Sequence, residues 1–518
     1  MRMNKEKRLI SGRSLLIGLA ALFMNAAPVL ASDDDAHQNL TYTGPGTCLE
    51  CHSYDAHDVF DSTHYQWKGA TPYMLNAGGT LQGKHAGGVN TYCGNILGNW
   101  DGCSACHIGL GAEPEPTVSL AQLENIDCLI CHQEQYKRKK VNGVMVPDTA
   151  NMAITMDEAV QTVHGPTRAT CLQCHAKAGG GDAVKRGDLA LATGNTTDKD
   201  YDVHMATTGA NLQCQDCHEA EDHRFPGKGS DIRPTDLDVP MECANSGCHD
   251  PAPHDSRNIN RHIAKVACQT CHIPVYAKNA NDSAASEATE IDRSWQSGSH
   301  HTSPPYHPVL TLANDLIPKY LHWNRLSDNY LLGDAISPSP AGTYETSVPD
   351  GDVNDTASKL YPFKYKTSDY PLHTADSTLI ALDTSVFFAL AGIPGQEDTA
   401  ADTAALAGLD NMGYVNSQIG DFEWVTTDTY QLLNHQVSDH DDALLCGDCH
   451  MNTARMDLQG ELGYAPADKD PASCAQGCHS EEKASEWTMG SLNDFKDGHK
   501  KHRSEDADCA ECHAFSRN

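Results

Sequence analysis

A mainly α-helical fold with extensive loops and little β structure is what this chain predicts, on three observations. Twenty of its 21 cysteines fall in ten short clusters, each ending in a histidine. Aromatic residues make up only 6% of its 518 residues. No long amphipathic helix or alternating strand series runs through it to build one large core. Ten tightly bound groups at the clusters can replace such a core, as metals or disulfides do in small domains.

Eight of the clusters are strict C-x-x-C-H: Cys48, Cys51 and His52; Cys103, Cys106 and His107; Cys128, Cys131 and His132; Cys171, Cys174 and His175; Cys214, Cys217 and His218; Cys268, Cys271 and His272; Cys446, Cys449 and His450; Cys509, Cys512 and His513. Two are stretched: Cys243, Cys248 and His249, and Cys474, Cys478 and His479. Two thiols at this spacing tether the vinyl groups of a haem through thioethers, and the adjacent imidazole reaches the iron as proximal ligand. A disulfide framework would not place a histidine after every second cysteine. Zinc ribbons use two C-x-x-C units per metal and no following histidine. The expected architecture is therefore a multihaem cytochrome c fold built around a packed haem array, with ten haem c groups.

Cysteine density divides the chain. Residues 1–31 read as a secretion signal, with a basic start (Arg2, Lys5, Lys7, Arg8, Arg13), a short apolar run from Ser14 to Met24 and a small-residue cleavage site at Ala31. The apolar run falls short of the ~20 residues that span a bilayer, so no membrane span is expected after cleavage. Residues 32–275 hold seven motifs, residues 276–440 none, and residues 441–518 three. The haem-free region is expected to supply distal ligands and packing, with apolar pieces such as Leu379 to Leu390 laid as helix on the haem layer. A separate substrate domain is the competing reading.

The net charge is −33, and the segment before residue 32 is basic, so the exported chain is more acidic still. Such a field argues against nucleic acid and anionic membrane surfaces as partners. The run Lys137-Arg138-Lys139-Lys140 is either a solvated loop or a docking patch for an acidic partner.

Of 28 histidines, 18 lie outside the motifs. A second imidazole saturates an iron for electron transfer, whereas a weak or open sixth position leaves room for substrate. The distal candidates are His64, His164, His204, His223, His254, His262, His322, His373, His435, His499 and His502.

Several non-haem stretches are distinctive. Cys48 to His52 is followed by His57-Asp58-Val59 and Thr63-His64-Tyr65-Gln66-Trp67. Cys93-Gly94 stands ten residues before the second motif, and Gly179-Gly180-Gly181-Asp182-Ala183-Val184-Lys185 follows the fourth. Val266 to Pro274 and Cys446 to Gly463 complete the set. Over roughly residues 40–465 the chain resembles the octahaem cytochromes of the tetrathionate reductase family. The resemblance implies Lys185 as distal ligand over the haem of Cys103, Cys106 and His107, with Cys93 and Asp182 beside it as further catalytic residues. Lysine binds iron only as the neutral amine, and such a tether is more easily displaced than an imidazole. The motifs at Cys474 and Cys509 lie beyond the resemblance, in an extension carrying His499 and His502. The expected function is a periplasmic reductase of sulfur or nitrogen oxyanions, fed by a redox partner cytochrome or a quinol-oxidising membrane protein. The alternative is a non-catalytic electron conduit or store.

Overall fold

A computed structural model describes residues 34–466 except 228–233, 240, 245–246, 297–306, 392, 394 and 451–453, and beyond these only the strand Phe515–Ser516. The predicted signal segment, the last two haem motifs, His499 and His502 all lie outside the described residues.

The first half follows the expectation of short helices and loops. Helix α1 (Ser53–Asp61) starts directly after the first motif and buries Ala56 and Phe60. Strands β1 (Arg138–Val141) and β2 (Val144–Pro147) form a hairpin from the basic run. Its Arg138 turns inward, salt-bridged to buried Asp127 at 3.2 Å and donating to the carbonyls of Ala105, His107 and Gly109 at 3.0, 2.5 and 3.0 Å. Lys139 meets Asp148 at 3.1 Å and Lys140 meets Asp101 at 3.1 Å, so the run braces the second haem motif and its own hairpin. Helix α2 (Arg168–His175) is capped by Thr167, which exchanges side-chain and backbone hydrogen bonds with Thr170, and carries the fourth motif on its last turns.

The second half overturns the expected fold class. The chain is not mainly α: helix and strand are nearly balanced, at 23% and 20%. The haem-free region builds an eight-stranded mixed sheet from β3 (Thr289–Ser294), β4 (Val309–Ala313), β5 (Lys319–Trp323), β6 (Ser327–Asn329), β7 (Tyr344–Pro349), β8 (Lys359–His373), β9 (Thr378–Leu379) and β10 (Phe422–Leu432). The main path runs β4-β3-β8-β10-β7-β6, with β5 and β9 also paired to β8. The long β8 pairs antiparallel with β10 from Phe363↔Leu432 to His373↔Phe422, and parallel with β3 at Thr367↔Asp292. These strands are rich in Thr and Tyr, residues that favour a pleated, half-buried surface without raising the apolar count.

The segment expected as a helix from Leu379 splits. Leu379 ends β9, and the helix α3 runs Thr384–Ala391, packed on α4 (Glu397–Asn411), with Phe388 reaching the cavity lined by the haem motifs. Trp295, Tyr370, Leu372, Phe387, Ala404, Ala405 and Leu409 close a dry core between these helices and the sheet. The region thus has a core of its own.

Candidate functional site

The haem motifs surround a branched cavity of about 3830 Å³. Two metal–imidazole bonds of about 2.0 Å, plus the half-widths of two rings, separate the centroids of trans-axial histidines by roughly 6 Å. Seven motif histidines face another histidine at this spacing: His52 and His37 at 6.1 Å, His132 and His223 at 6.3 Å, His175 and His64 at 6.1 Å, His218 and His435 at 6.4 Å, His249 and His204 at 6.1 Å, His272 and His254 at 6.2 Å, His450 and His262 at 6.2 Å. These gaps fit an iron held between two imidazoles.

Outer hydrogen bonds support that fit. His52 Nδ1 pairs with Asp55 at 2.9 Å, and His132 and His218 Nδ1 donate to the carbonyls of His164 and Pro226 at 2.9 and 3.0 Å. Nδ1 of His254 pairs with Asn260 Oδ1 at 3.0 Å, and Nδ1 of His435 with Asp188 at 3.2 Å. With Nδ1 engaged, Nε2 is left to face the gap, the usual arrangement of a metal-ligating histidine. Burial pushes the Asp188 carboxyl up, but Arg186, His435 and the Asn434 amide hold it well below the usual carboxylate range.

Among the distal candidates, His64, His204, His223, His254, His262 and His435 stand in these pairs. His164, His322 and His373 do not. His164 orients His132 through its carbonyl, and its Nδ1 binds the Gly165 carbonyl at 2.7 Å. His322 binds the Leu462 carbonyl at 2.9 Å. His373 is bonded to Asp376 at 2.8 Å and packs on Tyr414. His37 was missed, although it stands 15 residues before the first motif's histidine, within reach of the same iron.

Motif sulfurs order the array. Cys48 contacts Cys128, Cys106 contacts Cys174, Cys171 contacts Cys214, and Cys243 contacts Cys268. Cys131 lies by Cys171 and Cys174, Cys217 by Cys248, and Tyr320 beside both Cys271 and Cys449. Motifs one, three and four are therefore neighbours in turn, motif two branches from four, and five to eight continue in sequence.

Motif two differs from the other seven. His107, expected as a proximal ligand, is not presented to the cavity. It is fully buried, wedged among the rings of Tyr65, Trp67 and Trp100 at 5.1, 5.1 and 5.4 Å. Its Nε2 donates to the Tyr65 carbonyl at 2.7 Å and its Nδ1 has no partner, the reverse of His52, His132, His218, His254 and His435. Burial pulls its pKa down to about 4. Lys185, Cys93 and Asp182 line the same cavity as Cys103 and Cys106, and Cys93 lies near Cys103. The loop carrying Lys185 folds back on the end of α2, with the Ala183 amide donating to Ala176 and the Lys185 amide to Ala178. Gly179, at φ +88°, sits where a Cβ would come within 3.0 Å of both the Lys185 Cβ and the Tyr92 ring. Asp182 Oδ1 accepts the Leu191 amide at 2.8 Å. Lys84, Lys177 and Arg293 add positive charge to the lining.

The comparisons with known proteins agree with this architecture. A family model for bacterial cytochrome c matches residues 284–453. An uncharacterized protein of Archaeoglobus fulgidus is 30% identical, over 36% of this chain and 75% of its own length. The crystal structure of an octahaem cytochrome c from Shewanella oneidensis superposes with a TM-score of 0.68 at 28% identity, covering 86% of this chain and 98% of its own. Eight haem motifs, seven iron-spaced histidine pairs and this likeness place the chain in the family of octahaem-type multihaem c-type cytochromes.

Proposed function

We propose that this chain is an exported reductase of small sulfur or nitrogen oxyanions, of the tetrathionate type, acting at the haem of Cys103 and Cys106 with Lys185 as its protein axial ligand. The observation that carries the reading is the contrast at motif two. Seven motif histidines look across an iron-sized gap at a second histidine, and such irons are saturated. His107 instead spends its Nε2 on the Tyr65 carbonyl, and Lys185 stands among the basic side chains on the cavity wall. With an amine as its protein ligand, a haem held there would keep room for substrate and would supply one-electron exchange, while the protein supplies orientation and charge. Lys84, Lys177 and Arg293 attract an anion into a strongly acidic molecule. Cys93 offers a thiol to a sulfur or nitrogen centre, and Asp182 is placed to pass protons from solvent. Electrons enter from a partner cytochrome or a quinol-oxidising membrane protein, in the periplasm.

The test is Lys185→Ala in the haem-loaded protein. The expected results are loss of one EPR signal with the bis-histidine signals, at least seven, retained, and loss of viologen-driven reduction of tetrathionate, nitrite and hydroxylamine. An unchanged spectrum with unchanged rates would make the protein an electron conduit.

A further inference from the structure

Behind the cavity wall, and reaching it at Arg293, stands a buried cation cluster on the sheet. Arg293 on β3 and Lys364 and Lys366 on β8 are 4%, 1% and 0% exposed, and the carboxylate bonded among them is Glu290. Each donates to backbone carbonyls of the segments that carry the site. Arg293 reaches the Tyr92 carbonyl at 2.5 Å and the Gly179 carbonyl at 2.7 Å, bridging the Cys93 segment to the Lys185 loop. Lys364 Nζ donates to the carbonyls of Val184 and Lys185, both at 3.0 Å, and to Thr289 Oγ1 at 2.6 Å. Lys366 Nζ donates to the Thr91 carbonyl at 3.1 Å. All three, together with Lys185, gather around the Tyr92 ring at 4.5 to 5.5 Å. Tyr92 itself donates to the Lys185 carbonyl at 3.3 Å.

Neutral side chains could satisfy these carbonyls without the desolvation cost of buried ammonium groups. Three cations sharing one carboxylate are therefore a poor device for stability alone. They are well suited to holding two loops in one geometry from a rigid strand pair while keeping the local field positive.

We propose that Arg293, Lys364 and Lys366 are positioning residues that lock the Cys93 segment to the Lys185 loop and so set the ligand field and reduction potential of the motif-two haem. This rests on the reading of Lys185 as that haem's ligand. The face of the sheet that packs on α3 and α4 through Tyr370 and Leu372 would then continue, through Lys364 and Lys366, into the redox site.

The experiment compares haem-loaded wild type with Lys185→Ala, Arg293→Met, Lys364→Met, Arg293→Lys and Tyr92→Phe, by EPR and by spectroelectrochemical titration. Arg293→Met and Lys364→Met are expected to lose or broaden the signal that Lys185→Ala abolishes, and to shift the potential of that haem alone. Turnover is expected to fall tenfold to about a hundredfold, in line with small misplacements at other sites. Arg293→Lys, which keeps the charge and can keep one carbonyl bond, should recover part of the signal. Wild-type signal and potential in Arg293→Met and Lys364→Met, alongside loss in Lys185→Ala, would overturn the proposal and leave the site intact. An unchanged spectrum in Lys185→Ala would instead remove the site reading. If the methionine variants do not accumulate, Tyr92→Phe decides: it keeps the ring and deletes the hydroxyl's bonds to the Lys185 carbonyl and to Gln431 Oε1, and an unshifted potential there overturns the positioning role.

Discussion

Gly94 gives the sharpest test of how the sheet shapes the site. It follows Cys93, adopts φ +71°, and a Cβ on it would stand 2.0 Å from the Tyr370 hydroxyl and 3.3 Å from the ring carbon bearing it. Gly94→Ala meets two separate penalties. The left-handed backbone costs roughly 1–2 kcal/mol for a residue with a Cβ. The overlap with Tyr370 forces repacking at a further cost of about 1–3 kcal/mol. Guanidinium unfolding of the loaded protein should therefore show a loss of roughly 2–5 kcal/mol. Tyr370→Phe removes the colliding oxygen, which completes no hydrogen bond of good geometry, with the Leu382 amide standing near it. In the double variant the new Cβ meets only the ring, so the repacking cost is relieved and the backbone cost remains. The double-mutant cycle should show a favourable coupling of about 1–3 kcal/mol. Strictly additive effects, or a Gly94→Ala protein of wild-type stability, would refute the close approach of β8 to the Cys93 segment.

Three further outcomes follow from other parts of the molecule. Imidazole planes across the iron gaps are near parallel for His37/His52, His254/His272 and His218/His435 at 5°, 12° and 24°, and steep for the other four at 62° to 74°. Since ring orientation sets the splitting of the iron orbitals, EPR of the oxidised protein should show at least four large-gmax and at least three rhombic low-spin haems, and a uniform set would contradict the pairings. Burial lowers the Lys278 pKa to about 8, against the attraction of Asp202, Asp198 and Asp200. Between pH 8 and about 10.5 the unfolded chain binds more protons than the folded one, so this group makes stability rise with pH by up to about 3 kcal/mol. Lys278→Met should erase that rise, so its stability relative to wild type declines from pH 8 to 10; a constant difference would disprove it. Intact mass of the purified protein should show ten haem additions, falling to nine in Cys474→Ala/Cys478→Ala, and eight in the wild type would restrict haem to the eight motifs from Cys48 to Cys446.

The haem framework was legible because covalent attachment has a rigid spacing. A histidine directly after two close cysteines states its chemistry without a fold around it, and most of the histidines that face a motif histidine stand close enough to a motif to be nominated. The sheet was illegible for the opposite reason. In β8 the alternating Lys364, Lys366, Ser368 and Tyr370 read as a polar, solvent-facing side, whereas these residues point into the molecule and are at most 1% exposed. Alternation reports which residues share a face, and assigns water to the polar face only when nothing polar waits beneath it. Here the carbonyls of Thr91, Val184 and Lys185 wait beneath it.

His107 shows the same limit from the other side. Its motif is as strict as its seven counterparts, and the sequence has no mark within the motif that sets it apart. What diverts the ring lies elsewhere: Trp67 in a left-handed turn at φ 51°, Trp100 bonded to the Gly111 carbonyl at 2.8 Å, and Arg138 drawing the His107 carbonyl toward the hairpin. Where the motif histidine points is therefore set by the shell around the motif as much as by the motif. Where aromatic rings and a backbone carbonyl take the imidazole, and a cation-braced loop brings an amine to the cavity wall, a tethering sequence shared with electron-transfer haems becomes compatible with substrate binding. On this view the acidic exterior and the cationic interior belong to one arrangement: charge keeps the molecule soluble outside, and the same sheet that closes the apolar core presents its lysines inward to the site where an anion would bind.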